Sequence, residues 1–520
     1  MFIKDQFKLM KNTLRFTWML LLAMATLVFT SCNEEDEVIR IFEANFEGSS
    51  AGLESLNSSA EVTVSFSTPT IQETTVVIEI EENGVVYGSD YETSPAATDG
   101  TIEVTVPSGS ENASFSVTRK VEFIESGNNV SFTLVSVDGE EDPQIVGSSF
   151  TVSFEKVISE SGQIDLATGG STQPNQVYID FSSGTQTAVR RDAWELGFYN
   201  GSENRVFLNS SIKASAAVLT GVTDLNSVTS AYEFSEPVTL YYYPDFATKT
   251  EIQVSNVEEL TAGLPVGYTQ YGDEDNGVVF TDLATGNLDE TAIAEISTNA
   301  DENFVYIVSL GNEIPDEEAE AGSINISGDH RGFMKVRILT DGNSYTLQYA
   351  ELDATTFTEV NIAKSTYNTM SAFSLVNGGE VAVEPESYDI NFTGVFSYYS
   401  GGFGLTYSDY AIHNTLGGVG VYKLHTEDLP GGFGAPGETA NTDISYENFT
   451  LADVDENEFV FDDRTVINSG WRSTSQGVAY DYMYFIVKDV DGDYYKVQFT
   501  ALLSADGERG YPQLRYALLQ

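Results

Sequence analysis

The sequence is poor in basic residues, in histidine and above all in cysteine. Of its 520 residues, 24 are Lys or Arg and 79 are Asp or Glu, which gives a formal net charge of -55. Nucleic acids and anionic membrane surfaces are bound mainly through Lys and Arg, so this charge argues against a nucleic-acid partner. A single cysteine excludes an intrachain disulfide, and three histidines leave few imidazole ligands for a metal.

Helical periodicity is also missing, because no segment after the N-terminus repeats apolar residues every 3.6 positions. Apolar and polar residues alternate instead with a period of two, and Gly, Asn and Asp separate the runs. This pattern is typical of strands joined by tight turns. With 41% hydrophobic and 12% aromatic residues, the chain can bury several cores, and its length suits roughly three to four domains. The sequence predicts an all-β protein.

The sequence lacks any arrangement typical of an enzyme. GSSAG at Gly48–Gly52 has the spacing of a nucleophile elbow, but no strand-to-helix turn surrounds it. GFGAPG at Gly432–Gly437 has a dinucleotide-binding spacing, yet Pro436 and the absence of a following helix exclude that turn. DVDGDYYKVQFT begins as a calcium loop does, but it lacks the required Gly and Glu, and we predict a hairpin there. We therefore expect a binding protein, with no catalytic residues and no metal-ion site.

The N-terminus is predicted to be a lipoprotein signal peptide over residues 1–31. Four basic residues precede an apolar run, Thr17–Thr30, which is too short to span a membrane. The run ends in FTSC, which resembles a bacterial lipobox and implies that Cys32 is lipidated. The acidic tether that follows, residues 32–39, resembles the export tag of Bacteroidetes lipoproteins. We expect a surface-exposed lipoprotein anchored in the outer membrane.

Residues 40–157 are predicted to form a β-sandwich, because six alternating strands follow one another with turn residues between them. One stretch, YGSDYETSPAATDGTIEVTVPSGSENASFSV, is similar to the Calx-beta family. The matching positions are Gly88, Asp90, Tyr91, Gly100, Ile102, Val104 and Gly109. Calx-beta domains bind Ca²⁺ through a full acidic cluster, which leaves calcium binding open here, and we interpret this domain as a spacer. A polar linker is expected over residues 158–175.

The remainder of the chain contains an internal repeat. Aligned without gaps at a constant spacing of 194 residues, FSSGTQTAVRRDAWELGF (Phe181–Phe198) matches LVNGGEVAVEPESYDINF (Leu375–Phe392). Alternate residues at the end of each segment are apolar or aromatic. This shared parity predicts that Phe198 and Phe392, with the large side chains two and four positions before each, point into a core.

A second repeated segment follows the first one in each copy. Met334–Leu352 aligns with Tyr484–Leu502 at a spacing of 150 residues, and each segment contains an Asp-Gly pair between alternating strands, which is typical of a tight hairpin. We therefore predict a duplicated all-β domain, with copy one at residues 176–370 and copy two at residues 371–520.

The sequence motifs of copy two occur in an order that is found in a known protein family. A strand with Tyr388, Asp389, Ile390 and Phe392 is followed by the Gly-rich TLGGVGVYKL, then by DGDYYKVQF and PQLRYALL. This order resembles the HmuY family of Bacteroidetes surface lipoproteins, which capture haem. Copy one departs further from it, because DGNSYTLQY lacks the Tyr-Lys pair. The resemblance implies that haem or a related tetrapyrrole is the ligand, acquired free or from a haem-carrying host protein. The alternative is a non-haem surface binding protein or adhesin that recognises glycan or protein.

Histidine, methionine, cysteine and tyrosine are the side chains that bind haem iron. His413 and His425 lie on either side of the Gly-rich stretch of copy two, so both are candidate haem ligands. The competing interpretation places each at a surface or strand end without a role in binding. His330, in SGDHRGF, is interpreted as a solvated turn residue. Whether both copies bind a ligand stays open.

Methionine ligation of the iron also stays open. The candidates outside the sandwich are Met334, Met370 and Met483, although a methionine in a β-strand usually packs in a core. The haem propionates require a basic group in so acidic a chain, and Lys423 and Arg472 are the nearest in sequence.

Overall fold

A computed structural model describes residues 42–520 except 49, 54–55, 122–123, 125–126, 141–142, 146–148, 155–160, 243–247, 263–268, 271–279, 399–403 and 432–436. The predicted signal peptide, Cys32 and the acidic tether lie outside the described residues. The all-β prediction is confirmed: strands dominate, and one short α-helix, α1 (Val257–Ala262), occurs in the described part. No helix in that part is long and apolar enough to cross a membrane.

The N-terminal strands form a two-sheet sandwich. They are β1 (Glu43–Phe46), β2 (Ser50–Gly52), β3 (Ser59–Phe66), β4 (Thr74–Asn83), β5 (Tyr91–Ser94), β6 (Thr101–Val106), β7 (Asn112–Arg119), β8 (Asn129–Asp138), β9 (Gln144–Ile145) and β10 (Ser149–Ser153). One sheet contains β9, β1, β3, β7 and β5 and continues beyond β3 into four later strands of the chain, and the other has the order β2-β10-β8-β4-β6. Alternate side chains of both sheets meet in one core, where the rings of Phe115 and Phe132 lie 4.9 Å apart.

The strands that follow the sandwich as far as residue 351 are called the first half. They are β11 (Ser161–Asp165), β12 (Asn175–Asp180), β13 (Thr185–Arg190), β14 (Leu196–Tyr199), β15 (Val206–Leu208), β16 (Ser215–Leu219), β17 (Glu233–Tyr242), β18 (Thr250–Asn256), β19 (Thr269–Gln270), β20 (Val305–Ser309), β21 (Phe333–Thr340) and β22 (Ser344–Glu351). Short 3₁₀ turns at Arg191–Ala193, Ser210–Ile212, Leu225–Ser227, Leu288–Glu290 and Ala300–Glu302 connect them.

The remaining strands are called the second half. They are β23 (Thr358–Ala363), β24 (Met370–Ser374), β25 (Gly379–Val381), β26 (Ile390–Tyr398), β27 (Gly404–His413), β28 (Gly420–His425), β29 (Arg472–Ser473), β30 (Val478–Ala479), β31 (Met483–Lys488), β32 (Tyr494–Leu503) and β33 (Arg509–Leu518). The 3₁₀ turns of this half lie at Tyr446–Asn448 and Leu451–Asp453.

The two halves have the same sheet architecture. The first half forms the order β16-β20-β21-β22-β23 and the second half forms β28-β31-β32-β33-β11. In each sheet the outermost strand comes from the other half, since β23 pairs with β22 and β11 pairs with β33. Ser161–Asp165 is therefore an edge strand of the C-terminal sheet, although the sequence indicated a linker at residues 158–175.

A hairpin is also exchanged between the halves. The hairpin β12–β13 of the first half pairs with β26, and the hairpin β24–β25 of the second half pairs with β14. The register is equivalent at both places, at the spacing of 194 residues seen in the sequence. The pair of Ile179 with Ile390 corresponds to the pair of Phe373 with Leu196. Likewise, the pair of Val177 with Phe392 corresponds to the pair of Ser371 with Phe198.

The register of the remaining strands changes the alignment of the second repeated segment. Val336 pairs with Tyr349 in the first half, and Val497 pairs with Tyr516 in the second. Under this equivalence, Lys335 corresponds to Lys496, and LQYAEL corresponds to LRYALL near the C-terminus. The alignment of Met334–Leu352 with Tyr484–Leu502 is therefore wrong by one strand. The Asp341-Gly342 turn precedes β22, the fourth strand in the order of the first-half sheet, whereas the Asp491-Gly492 turn precedes β32, the third strand in the order of the second-half sheet.

Both echoed strands are buried, as the shared parity predicts. Phe198 is 0% exposed and packs in the first-half core, where its ring lies 5.2 Å from that of Tyr345. Phe392 is 1% exposed and packs in the second-half core against Phe499. The interpretation of these strands as core strands is confirmed.

Candidate ligand cleft

A cleft lies where the exchanged hairpins pass between the two halves. It encloses about 860 Å³ of atom-free space, part of which is open to solvent. Its walls come from the hairpins, from β15 and the turn after it, from β26 and the loop after β27, and from residues 282–291 and 464. Ligand sites of proteins are typically concave regions lined by apolar and aromatic side chains with a few polar groups, and this cleft has such a lining, so it is the candidate site.

Equivalent positions of the two halves both line this cleft. The lining pairs at equivalent positions are Gln176 and Met370, Trp194 and Tyr388, Leu208 and His413, and Asn209 and Asn414. The asparagines show the equivalence directly, because the side chain of Asn209 donates to the Trp194 carbonyl at 2.8 Å and that of Asn414 donates to the Tyr388 carbonyl at 3.1 Å. The cleft therefore has a pseudo-two-fold frame with different chemistry on its two sides.

Two buried carboxylates hold the exchanged hairpins in place. Glu195 accepts a hydrogen bond from the Leu375 N–H at 2.6 Å, and Asp389, at the equivalent position, accepts one from the Phe181 N–H at 2.8 Å. Burial raises the pKa of Glu195, and Arg331, 2.8 Å away, opposes that shift. Each half thus fixes the turn of the other half's hairpin, and this keeps the cleft walls at a defined separation.

His413 ends β27, lines the cleft and has one ring nitrogen without a partner among the described residues. The side chain is 2% exposed, and its Nε2 lies 3.0 Å from the Val460 carbonyl. A carbonyl only accepts, so Nε2 carries the proton and Nδ1 keeps its lone pair. Nδ1 is buried and has no partner among the described residues. Burial lowers the pKa of His413 to about 4, so the imidazole is neutral at physiological pH.

Three further polar atoms in the cleft lack partners. They are Gln176 Nε2, Trp194 Nε1 and Asn391 Oδ1, and each belongs to a side chain that is less than 9% exposed. With His413 Nδ1, they make four of the nine such atoms in the described part of the chain. Buried polar atoms are nearly always hydrogen-bonded in folded proteins, so their concentration in one cleft indicates a bound molecule or ordered water there.

Burial raises the pKa of acidic and phenolic groups that line the cleft. Burial raises the pKa of Glu384, although Thr369, Met370 and Tyr388 all donate hydrogen bonds to it. Burial likewise raises the pKa of Asp282 to about 6. The phenol of Tyr388 has a pKa well above its ordinary value for the same reason. The low dielectric that causes these shifts also strengthens any polar contact made to a ligand.

The two predicted haem ligands are not brought together. His425 is buried at the end of β28, outside the cleft lining, with Nδ1 2.8 Å from the Glu427 carbonyl and Nε2 3.6 Å from Glu438. His413 lies in another sheet and lines the cleft. Of the two residues, only His413 lines the cleft and has a ring nitrogen without a partner among the described residues.

The third histidine is part of a structural turn. His330 Nδ1 accepts from the Gly332 N–H at 3.1 Å, and its Nε2 lies 2.8 Å from Ser309 Oγ. In the neutral ring the proton is therefore on Nε2 and is donated to the serine. His330 cannot act as a base toward Ser309, which removes the one Ser–His contact that suggests a nucleophile.

The remaining sequence candidates take different positions. Met370 lines the cleft, whereas Met483 is buried in the second-half core and Met334 packs against the first-half core. Lys423 is paired with Glu438 at 2.8 Å, and Arg472 is paired with the buried Asp409 at 3.0 Å. Both basic candidates for a haem propionate are therefore already engaged.

The residues that sequence reasoning missed are Gln176, Asn391 and Arg464. Asn391 carried a usable signal, because it is a polar residue in a strand whose neighbours on both sides are buried, and the equivalent position in the first half is Gly197. Arg464 follows two aspartates in a loop and gave no signal. No group of three or more His, Cys, Asp or Glu side chains suited to a metal ion is found in the described ranges.

The fold and the cleft define an all-β ligand-binding protein. The chain belongs to the HmuY family, because the sequence model of that family, described as HmuY protein, matches residues 172–516, about two thirds of the chain. The single match runs through both halves. HmuY proteins are binding proteins and not enzymes, and members of the family are surface lipoproteins known for haem binding. Among curated protein sequences, none matches this chain.

Several solved structures share part of the chain's β architecture. The apo form of the Calx CBD1 domain is 15% identical, with a TM-score of 0.19, over 22% of this chain and 97% of that one. The CBD12 calcium-binding domain of CALX1.1 is 11% identical, with a TM-score of 0.19, over 53% and 82%. A two-domain protein of unknown function from Bacteroides fragilis is 9% identical, with a TM-score of 0.16, over 41% and 78%.

Proposed function

We propose that this protein binds haem or a related tetrapyrrole in the cleft between the two halves and serves in its acquisition. The observation that carries the proposal is the free, buried Nδ1 of His413. A neutral imidazole nitrogen with no partner among the described residues fits a ligand to iron, and the hydrogen bond from Nε2 to the Val460 carbonyl fixes the ring, as such a bond commonly does for a metal-binding histidine.

The other side chains of the cleft are consistent with this assignment. Met370 is another side chain of an iron-binding type that lines the cleft. Tyr178 and Tyr388 are poorer ligands, because burial raises both phenolic pKa values and disfavours the phenolate that iron takes. Bound haem would supply an iron with open axial positions, and Trp194 and Tyr388 would supply aromatic surface beside the macrocycle.

Titration with haemin tests the proposal. The wild-type protein is expected to shift the Soret band with a saturating curve, and His413→Ala is expected to weaken binding at least tenfold, because the one free imidazole nitrogen of the cleft is lost. His330→Ala is the matched control, since that ring is bonded to Ser309 outside the cleft, and it is expected to bind as wild type does. Unchanged affinity in His413→Ala would contradict the site.

The variant His425→Ala tests whether His413 alone or both histidines bind the iron. His425 lies outside the cleft and its Nδ1 contacts a backbone carbonyl, so we expect haemin affinity to change less than threefold. An effect as large as that of His413→Ala, in a variant with unchanged thermal stability, would instead show that both imidazoles bind one iron after a rearrangement of the loop between them.

A second candidate function is the binding of a small polar molecule other than a tetrapyrrole. The observation that favours it is the set of three unpaired atoms beside His413, on Gln176, Trp194 and Asn391. A ligand rich in hydrogen-bonding groups satisfies them better than a porphyrin face does. Under this alternative the protein is a surface binding protein or adhesin that recognises glycan or protein, and haemin leaves its spectrum unchanged.

We further propose that the two halves are copies of one unit and that the sandwich is a spacer beneath them. The shared strand order and the equivalent register pairs support the duplication. The sandwich core contains no residue beyond Phe154, which supports an independent spacer domain.

The anchor is proposed to be a lipid on Cys32, which would place the protein at the outer surface of the outer membrane. The FTSC sequence and the basic and apolar segments before it support this proposal. Cys32→Ala is expected to abolish labelling by a fatty acid and to release the protein from the membrane fraction, whereas Ser31→Ala is expected to retain both. A labelled, membrane-bound Cys32→Ala protein would contradict the lipobox assignment.

A further inference from the structure

Arg464 is the one Lys or Arg side chain found in the described cleft lining. Its backbone N–H donates to the Thr285 carbonyl at 3.0 Å, and its own carbonyl accepts from the His413 N–H at 3.1 Å. Its Nε donates to the Ala284 carbonyl at 2.9 Å. The residue is therefore held from both sides, between the loop at 282–291 and the end of β27.

Gly286 makes room for the arginine side chain. The glycine has a φ of +75°, and a Cβ placed on it would lie 2.5 Å from Cδ of Arg464. A larger residue there would be strained and would displace the side chain, so the loop is built to let the guanidinium reach the cleft.

The terminal nitrogens of Arg464 have no protein partner in the described part of the chain, where its side chain bonds only to Ala284 and forms no ion pair. Asp282 is close enough for the guanidinium to lower its pKa slightly, against the larger effect of burial. The two Asp282 oxygens instead accept from the Leu208 and Ala292 N–H groups at 2.7 and 2.9 Å. The cation therefore stays unpaired within a chain that has 79 acidic residues.

A second unpaired donor lies in the same cleft. Trp194 is 6% exposed, and its Nε1–H has no acceptor among the described residues. An indole nitrogen only donates, and so does a guanidinium. The described residues supply no acceptor for these two donors, so a ligand or ordered water must supply it.

We propose that this cleft recognises a carboxylate of its ligand through the terminal nitrogens of Arg464, with the Trp194 indole as an additional donor. A guanidinium binds a carboxylate through two parallel hydrogen bonds, and such charge-assisted bonds are stronger than neutral ones. The inference rests on the proposed function in one respect: for a tetrapyrrole, the group bound is a propionate. The substrate class is therefore a flat aromatic molecule with an acidic side group.

Indole nuclear magnetic resonance tests the carboxylate site without a tetrapyrrole. The mature chain contains two tryptophans, Trp194 and Trp471, because Trp18 falls in the predicted signal peptide. Benzoate is expected to move the Trp194 indole signal with a saturating curve, and benzamide, which has the same shape without the charge, is expected to bind at least tenfold more weakly. Trp471 is the internal control, since its Nε1 donates to the Asp409 carbonyl in the core at 3.0 Å.

Arg464→Gln is expected to weaken benzoate binding at least tenfold while the Trp471 signal stays in place, and Arg464→Lys is expected to restore part of the affinity. Equal binding of benzoate and benzamide by the wild-type protein, or benzoate binding unchanged in Arg464→Gln, would overturn the proposal. Should the glutamine variant fail to fold, the discrimination between benzoate and benzamide by the wild type decides.

Protoporphyrin IX and its dimethyl ester separate this proposal from the proposed function. Wild type is expected to bind the free acid at least tenfold more tightly than the ester, and Arg464→Gln is expected to remove that difference. Equal binding of acid and ester overturns the carboxylate site and leaves the tetrapyrrole function standing. No binding of either, with benzoate still bound through Arg464, overturns the tetrapyrrole function and leaves the carboxylate site standing.

Discussion

Residues 161–356 and 357–520, produced as separate chains, are each expected to be unfolded and to form a folded protein only when combined. The division at the turn after β22 separates four strand pairings: β11 from β33, β12 from β26, β14 from β24, and β22 from β23. In each fragment the exchanged hairpin therefore loses the strand with which it pairs, and the five-stranded sheet loses its outermost strand.

The energetic reason is that each hairpin carries core residues of the other half. Val177, Ile179 and Phe181 pack in the core of the second half, and Phe373 and Leu375 pack in the core of the first. Burial of one large apolar side chain stabilises a protein by about 1.5–3 kcal/mol, so these five residues contribute about 8–15 kcal/mol. Whole domains are stable by about 5–15 kcal/mol, and the loss is of the same size.

Near-ultraviolet circular dichroism and thermal unfolding of each fragment measure the effect, and sedimentation of the mixture measures reassembly. A division between Phe154 and Ser161 is the control, because the sandwich core lies entirely before it, and both products are expected to fold. A cooperative unfolding transition in either half alone would contradict the exchange of hairpins.

Phe392→Ala is expected to lower the free energy of unfolding by about 3–5 kcal/mol, the usual range for a buried phenylalanine. The ring is 1% exposed and lies 6.1 Å from the rings of both Trp471 and Phe499, so its removal leaves a cavity that a β-sheet core closes poorly. Phe198→Ala is expected to cost a similar amount in the other core. Urea unfolding monitored by fluorescence gives the change from the midpoint at constant slope.

Tyr367→Ala is the matched control for these variants, because this aromatic side chain is 70% exposed, and a change below about 0.5 kcal/mol is expected. Phe198 and Phe392 pack in separate cores, so the double variant is expected to show the sum of the two changes. A cost below about 1 kcal/mol for either phenylalanine would show that the side chain does not pack in a core.

Local patterns in the sequence predicted the strands but not their partners. Alternation over Leu196–Tyr199 and over the start of β26 identifies strands and their buried residues, because side-chain parity is a property of each strand alone. Pairing between strands some 200 residues apart depends on the whole chain, so the exchange of hairpins left no local signal. For the same reason Ser161–Asp165 reads as a polar linker, since an edge strand buries few of its side chains.

The candidate site was predictable chiefly where a residue is of a type that binds haem iron, as His413 and Met370 are. Three histidines in 520 residues made His413 a candidate from the sequence alone. Tryptophan, glutamine and arginine are ordinary members of cores, strands and loops, and their role here arises from missing hydrogen-bond partners. That property exists only after the two halves are assembled, which is why Gln176 and Arg464 could not be identified beforehand.

The pairing of β11 with β33 joins Ser161–Asp165 to Gln513–Ala517, close to the end of the chain. A polypeptide that crosses a membrane in N-to-C order, as the predicted signal peptide implies, delivers β11 hundreds of residues before its neighbour. Contacts of such long sequence separation form slowly, because a large loop must close first. The C-terminal sheet can be completed only after β33 has emerged, so under the proposed export β11 crosses the membrane long before this sheet forms.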